Sequence, residues 1–196
     1  MSHSTRISFH GVKYFLITSL VIIGCFLAFY GNREQKGLLV VDTNITSQVY
    51  VNGKKVGDSP VEVEIPAKGS QIEISASPTY HYSTYITPEP NVKTIVRRYF
   101  DEHIPFSYGE TVTYNETLFQ RQSALFVTNP PGATVSIDDA VRTGLSPLEM
   151  QDLVEGTHQV TITREGYKTH SIEVVVRKGY TLYLLVDLAP EVELSK

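Results

Sequence analysis

Leu125-Phe-Val-Thr-Asn-Pro-Pro-Gly-Ala-Thr-Val-Ser-Ile-Asp-Asp139 is the stretch on which the fold turns. Two short runs rich in β-branched and aromatic residues flank a Pro-Pro-Gly break, and apolar residues recur at alternate positions, Leu125 and Val127, then Val135 and Ile137. A period of two is that of a strand with one buried face. Pro130-Pro131-Gly132 supplies the turn that separates the two strands. The pattern predicts Leu125, Val127, Val135 and Ile137 on the inward face, with Asp138 and Asp139 at a solvated hairpin tip.

Outward from this stretch the same alternation continues at Val160 and Ile162, at Ile172, Val174 and Val176, and at Leu182, Leu184 and Val186. Glu155-Gly156, Glu165-Gly166 and Lys178-Gly179 punctuate these runs with turn chemistry. About sixty-five residues thus form five or so short strands, a small β-sandwich or partly open barrel that barely supplies its own core.

The stretch also has a counterpart upstream. At an offset of 86, Leu39-Val-Val41 falls against Leu125-Phe-Val127 and Val49-Tyr-Val-Asn-Gly53 against Val135-Ser-Ile-Asp-Asp139. Gly57-Asp-Ser-Pro60 then falls against Gly144-Leu-Ser-Pro147, and Ile72-Glu-Ile74 against Val160-Thr-Ile162. Beyond that, the offset drops to 70, where Phe106-Ser-Tyr-Gly109 aligns with Val176-Arg-Lys-Gly179 and Leu118 with Leu188. The chain is therefore a diverged tandem repeat. The expected first domain spans 37–119 with an insertion at about 76–102, a linker covers 120–122, the second domain spans 123–190, and a tail covers 191–196.

At these residues the second repeat resembles a PEGA domain. Pro130-Pro131-Gly132-Ala133 fits the tetrapeptide that names the family, with Pro in place of Glu. Val135-Ser-Ile-Asp138, Gly144-Leu-Ser-Pro147, Gly156-Thr-His-Gln-Val160 and Gly166-Tyr167 follow in the family's order, so the resemblance covers residues 123 to 189. The first repeat is a weaker member: Asn44-Ile-Thr-Ser47 replaces the tetrapeptide and no Gly-Tyr follows. The resemblance implies an all-β surface module of bacterial and archaeal envelope proteins, generally without catalytic residues, whose partners differ from protein to protein.

Composition agrees with a chain built of strands. Charged residues are 19% of the chain, and the net charge is −4. The first thirty residues hold two cations, Arg6 and Lys13, and no acid, so the remainder carries 15 cations against 21 acids, a balance of −6. That balance disfavours nucleic acid as a partner. Cys25 is the single cysteine, which excludes an intrachain disulfide and a cysteine-based zinc site.

The N-terminal stretch Tyr14 to Tyr30 has seventeen residues without a charge. At 1.5 Å per residue it covers about 25 Å, the lower limit for a spanning helix. The expectation is a short cytoplasmic tail at 1–13, a transmembrane helix at 14–31, and residues 37–196 outside the cytoplasm, as in the bacterial inner membrane and periplasm. A second reading takes Ile22-Ile-Gly-Cys25 as a lipoprotein signal with Cys25 lipidated; the apolar Phe26 to Tyr30 that follows argues for the spanning anchor.

Candidates for chemistry are few. His81, His103, His158 and His170 share no ligand spacing, and His158 is placed on the outward phase of its strand. Ser59 and Ser146 precede prolines in matched turns and lack a nucleophile elbow. No cofactor or metal is expected, and no enzyme. Tyr80, Tyr82, Tyr85, Arg97, Arg98 and Tyr99 combine aromatics with arginines, a composition enriched at binding hot spots. The same residues also suit an extra hairpin covering a sheet edge. The functional expectation is a membrane-anchored scaffold or accessory subunit that docks another envelope protein or complex. The alternative is a module tethering the membrane to envelope polysaccharide.

Overall fold

The computed structural model describes residues 19, 21, 35–102, 107–117, 121–138 and 142–191. The expected tail at 1–13, the anchor at 14–31 with Cys25, Gln120 of the linker, Asp139 and the residues after 191 lie outside the described residues, Ser19 and Val21 apart. No helix among the described residues is long and apolar enough to cross a membrane.

From residue 35 the described regular structure is all strand. The first repeat forms β1 (Lys36–Thr43), β2 (Gln48–Val51), β3 (Lys54–Asp58), β4 (Val61–Pro66), β5 (Ser70–Ser75), β6 (His81–Ile86) and β7 (Lys93–Tyr99). After β8 (Tyr108–Glu116), the second repeat forms β9 (Ser123–Asn129), β10 (Thr134–Ile137), β11 (Arg142–Leu145), β12 (Leu148–Gln151), β13 (Gly156–Thr163), β14 (His170–Val176) and β15 (Tyr180–Asp187).

Each repeat makes one four-stranded sheet, β3-β2-β5-β6 or β11-β10-β13-β14. The remaining strands join in one seven-stranded sheet of order β12-β9-β15-β8-β7-β1-β4. Strand β8 is the seam, antiparallel to β7 of the first repeat and to β15 of the second. Two edges that would otherwise invite foreign strands are thereby paired within the chain. Neither repeat closes into a barrel.

Strand alternation puts the two small sheets on opposite faces of the large one. Leu39, Val41 and Val96 point to one face and pack in a core with Ile72 and Ile74 of the first small sheet. Across β8 the parity is the other: Val112, Leu184 and Phe126 are cross-strand neighbours, and they pack with Val135, Val160 and Ile162 of the second small sheet. Among the described residues the large sheet thus has one covered and one open half on each face.

The repeat is more regular than the sequence expectation had it. Equal pairings relate Ile74 with Tyr82 to Ile162 with His170, and Val41 with Val96 to Phe126 with Leu184, so the offset stays at 88 from β5 through β7. The expected insertion at about 76–102 is therefore the repeat's own β6 and β7. Gly109 on β8 has no counterpart in Gly179. The expectation erred because β6, His81-Tyr-Ser-Thr-Tyr-Ile86, lacks the aliphatic alternation of β14.

A second correction concerns the opening stretch itself. Ala124, Phe126 and Thr128 are buried, whereas Leu125 and Val127 lie on the opposite face and are half exposed. The correct partners are Thr43 and Thr128, whose hydroxyls make equivalent bonds to the Ile45 and Pro130 carbonyls, 2.7 and 2.8 Å, and to Ser59 and Ser146. That is an offset of 85, and a slip of one residue turns a strand's whole side-chain set over. Val135 and Ile137 do face inward.

Candidate functional site

The two faces of the seam carry different chemistry, and β7 supplies both because its alternate residues point opposite ways. On one face, Arg98 is buried, with 8% exposure, and its guanidinium stacks 3.9 Å above the Tyr82 ring. It also forms an ion pair with Asp187 on β15, whose other oxygen accepts from Asn129 Nδ2 at 3.1 Å. To reach Asp187 the side chain crosses β8 at Gly109. A Cβ there would meet the Arg97 carbonyl at 2.1 Å and Arg98 Cδ at 2.9 Å. Arg98 is thus a clamp between repeats, and its Nε is buried without a hydrogen-bond partner among the described residues.

On the other face Arg97, Tyr99, Tyr108 and Glu110 meet the start of β14. Tyr99 and Tyr108 are cross-strand partners with stacked rings, 5.0 Å between centroids and 13° apart in plane. Arg97 Nη1 donates to Glu110 Oε1 at 3.0 Å, and His170 Nε2 lies 3.3 Å from Glu110 Oε2. The second contact is close enough for an ion pair but off the line of a well-aimed hydrogen bond. Burial pushes the Glu110 carboxyl up, but His170 and Arg97 outweigh it and hold the group below the ordinary carboxylate range. Tyr108 closes on the His170 ring edge-on at 6.5 Å. With Lys168, Thr169, Ser171 and Ala189 these groups line a cleft of about 390 Å³. Strands of both repeats and the seam build it.

The six aromatic and cationic candidates are dispersed by this arrangement. Arg97 and Tyr99 reach the cleft; Arg98 and Tyr82 form the clamp on the opposite face. Tyr80 packs on Phe100 with 6.0 Å between ring centroids. Tyr85 is 63% exposed, and its hydroxyl lies where a Cβ on Gly69 would stand. Glu110, Tyr108, Lys168 and His170 were not singled out by sequence reasoning for this cleft. One signal was available: His170 shares strand parity with the inward Ile172, Val174 and Val176.

His158 also departs from expectation. It is buried, because it shares the inward parity of Val160 and Ile162. Its Nδ1 lies 2.6 Å from Asp138 Oδ2 and its Nε2 lies 2.7 Å from the Val154 carbonyl. Both partners are acceptors, so the cationic ring, in which both nitrogens donate, is the form this geometry satisfies. Burial opposes the charge, yet the Asp138 and Val154 contacts prevail and raise the His158 pKa. Asp138 therefore serves an internal tie rather than a purely solvated tip.

The motif residues serve turns and packing. Gly132 takes φ +84°, a conformation Gly adopts without Cβ strain, and buried Ala133 donates its N–H to Ser146 Oγ at 3.1 Å. Ser47 N–H makes the equivalent bond to Ser59 Oγ, 3.0 Å. The Ser-Pro pairs, Ser146-Pro147 and Ser59-Pro60, are thus a turn device used twice. Gly144 packs against the Leu148 side chain, which a Cβ would have to displace. Gly156 and Gly166 open and close turns, and Tyr167 bridges to Pro190. Among the described residues no cluster of three or more His, Cys, Asp or Glu has the disposition of a metal site.

Comparison with family models finds the PEGA domain twice, at residues 36–103 and 124–191. The two matches coincide with β1–β7 and β9–β15 and leave β8 outside both. No curated protein matches the chain.

Proposed function

Since the chain belongs to the PEGA domain family and carries two copies of the domain, we propose that it is a binding protein without an active site, a scaffold or accessory subunit that docks another envelope protein or complex. In this reading residues 14–31 form a transmembrane helix that holds the β-domains outside the cytoplasm. One observation supports it above the rest. The ion pairs of the seam hold its strands together, Arg98 with Asp187 across β8 and Arg97 with Glu110 of β8, while among the described residues strand edges and half-sheets stay open. Such surfaces recruit partners by main-chain pairing and packing. Cross-linking with mass spectrometry in intact membranes tests the proposal. A reproducible protein partner linked to residues 35–191 supports it; a chain recovered from the cytosol, or turnover of an envelope substrate by the purified protein, contradicts it.

A second reading, polysaccharide tethering, is favoured by the Tyr99 ring, 52% exposed and stacked on Tyr108 beside Arg97. Sedimentation with purified envelope polysaccharide, lost on Tyr99→Ala, would select it.

A further inference from the structure

Strand β14 is an edge of its small sheet, seven residues long and free of proline. The direction of its backbone groups follows from its neighbours. Gln159 accepts from Asp138 N–H on the β10 side, so Val160 points its groups toward β14, where it pairs with Ile172. Ser171, Glu173 and Val175 therefore point theirs away from the sheet. The Val175 carbonyl agrees, since it accepts from the Tyr114 hydroxyl of β8 at 2.8 Å. Among the described residues Ser171 and Glu173 are left with outward N–H and C=O groups, and both side chains are exposed.

Beside this edge, among the described residues, the large sheet continues as a floor on which Val40 and Ile95 are cross-strand neighbours, both half-buried and Ile95 packed against the margin of the second core. At the N-terminal end of β14 the floor meets the cleft. The ionisable residues lining the cleft there are Arg97, Arg98, Lys168, His170, Glu110, Tyr99 and Tyr108, with the Arg98 guanidinium tied to Asp187 on the far face. Glu110 is matched by Arg97 and His170, whereas Lys168 is exposed and has no ion-pair partner among the described residues. The cleft therefore retains positive charge.

We infer that β14 and the cleft form one site for an extended peptide strand, which adds antiparallel to β14 and brings its C-terminal carboxylate to Arg97 and Lys168. The antiparallel sense matters: it places the incoming C-terminus at the N-terminal end of β14, where the cations are. Main-chain bonds to Ser171 and Glu173 supply affinity, Ile95 and Val40 meet alternate side chains of the ligand, and the carboxylate sets its register. A saccharide could occupy the cleft but leaves the β14 backbone groups unmatched. The inference rests on the docking reading and gives it a place and a ligand class.

The test uses the full chain in detergent and an array of short random-sequence peptides, each present with a free and with an amidated C-terminus. Free-acid peptides are expected to bind, and amidation to weaken them about tenfold or more. Glu173→Pro removes an N–H that points away from β13, so the ladder stays intact, and is expected to weaken binding similarly, while Glu173→Ala does not. Lys168→Ala, an exposed substitution, provides a second arm should the proline variant fail to fold. No retained peptide, equal retention of acid and amide, or full binding by both Glu173→Pro and Lys168→Ala overturns the inference. If an envelope protein still cross-links to a chain that retains no peptide, the docking reading survives and this site does not.

Discussion

His158 and Asp138 show how one residue pair can make stability depend on pH. The His158 pKa lies above its ordinary 6.5, so its stabilising effect is complete below that value and is lost as pH rises through the raised one. Asp138, held down chiefly by His158, has a pKa below its ordinary 3.8, so its effect is present above that value and is lost as pH falls through the lowered one. The tie is fully made between the two. We expect His158→Gln to lower the urea midpoint by a wider margin at about pH 5 than at about pH 8; an equal margin at both contradicts the cationic ring. Gly109 is the second position where one residue decides much. Its substitution by Ala sets a Cβ against the Arg97 backbone and the Arg98 side chain, and is expected to cost about 1–3 kcal/mol in denaturant unfolding.

At the level of the strand, the decisive feature is which face β9 turns inward. Phe126 is fully buried while Leu125 lies on the open face. Phe126→Ala is therefore expected to cost about 3–5 kcal/mol and Leu125→Ala less than about 1 kcal/mol, measured by urea denaturation. Reversed values would restore the phase expected from sequence. That phase was ambiguous because β9 is apolar on both sides: Leu125-Phe-Val127 alternates equally well in either register. Where one face is polar the sequence was decisive, as at Val135 and Ile137 or at Val160 and Ile162. The same parity rule, applied to His158 and His170, would have placed both inward. The matched Gly-x-Ser-Pro turns and the tandem repeat were legible for a similar reason, since turn chemistry is local. The cleft was not legible, because Arg97, Glu110 and Lys168 meet only through pairings of β7 with β8 and of the second repeat with the seam.

For the molecule as a whole, the consequence of β8 is that two small domains become one body. A repeat of seven short strands supplies little core by itself, and here each lends three strands to a common layer. The Arg98 clamp and the β8 to β15 ladder reinforce the join. The cleft and the β14 edge depend on that join, so under the proposed docking reading loosening the seam should weaken whatever docks there. Ile74 and Ile162 occupy equivalent, fully buried places in the two repeats, which makes them a matched pair of probes. The most direct measurement is urea unfolding of the full chain in detergent, followed by hydrogen exchange of peptides from each repeat, for the wild type, Ile74→Ala and Ile162→Ala. One continuous sheet predicts that peptides from both repeats lose protection in a single transition, and that either substitution moves it for both. Two transitions, with each substitution moving only its own repeat, would contradict the fused sheet.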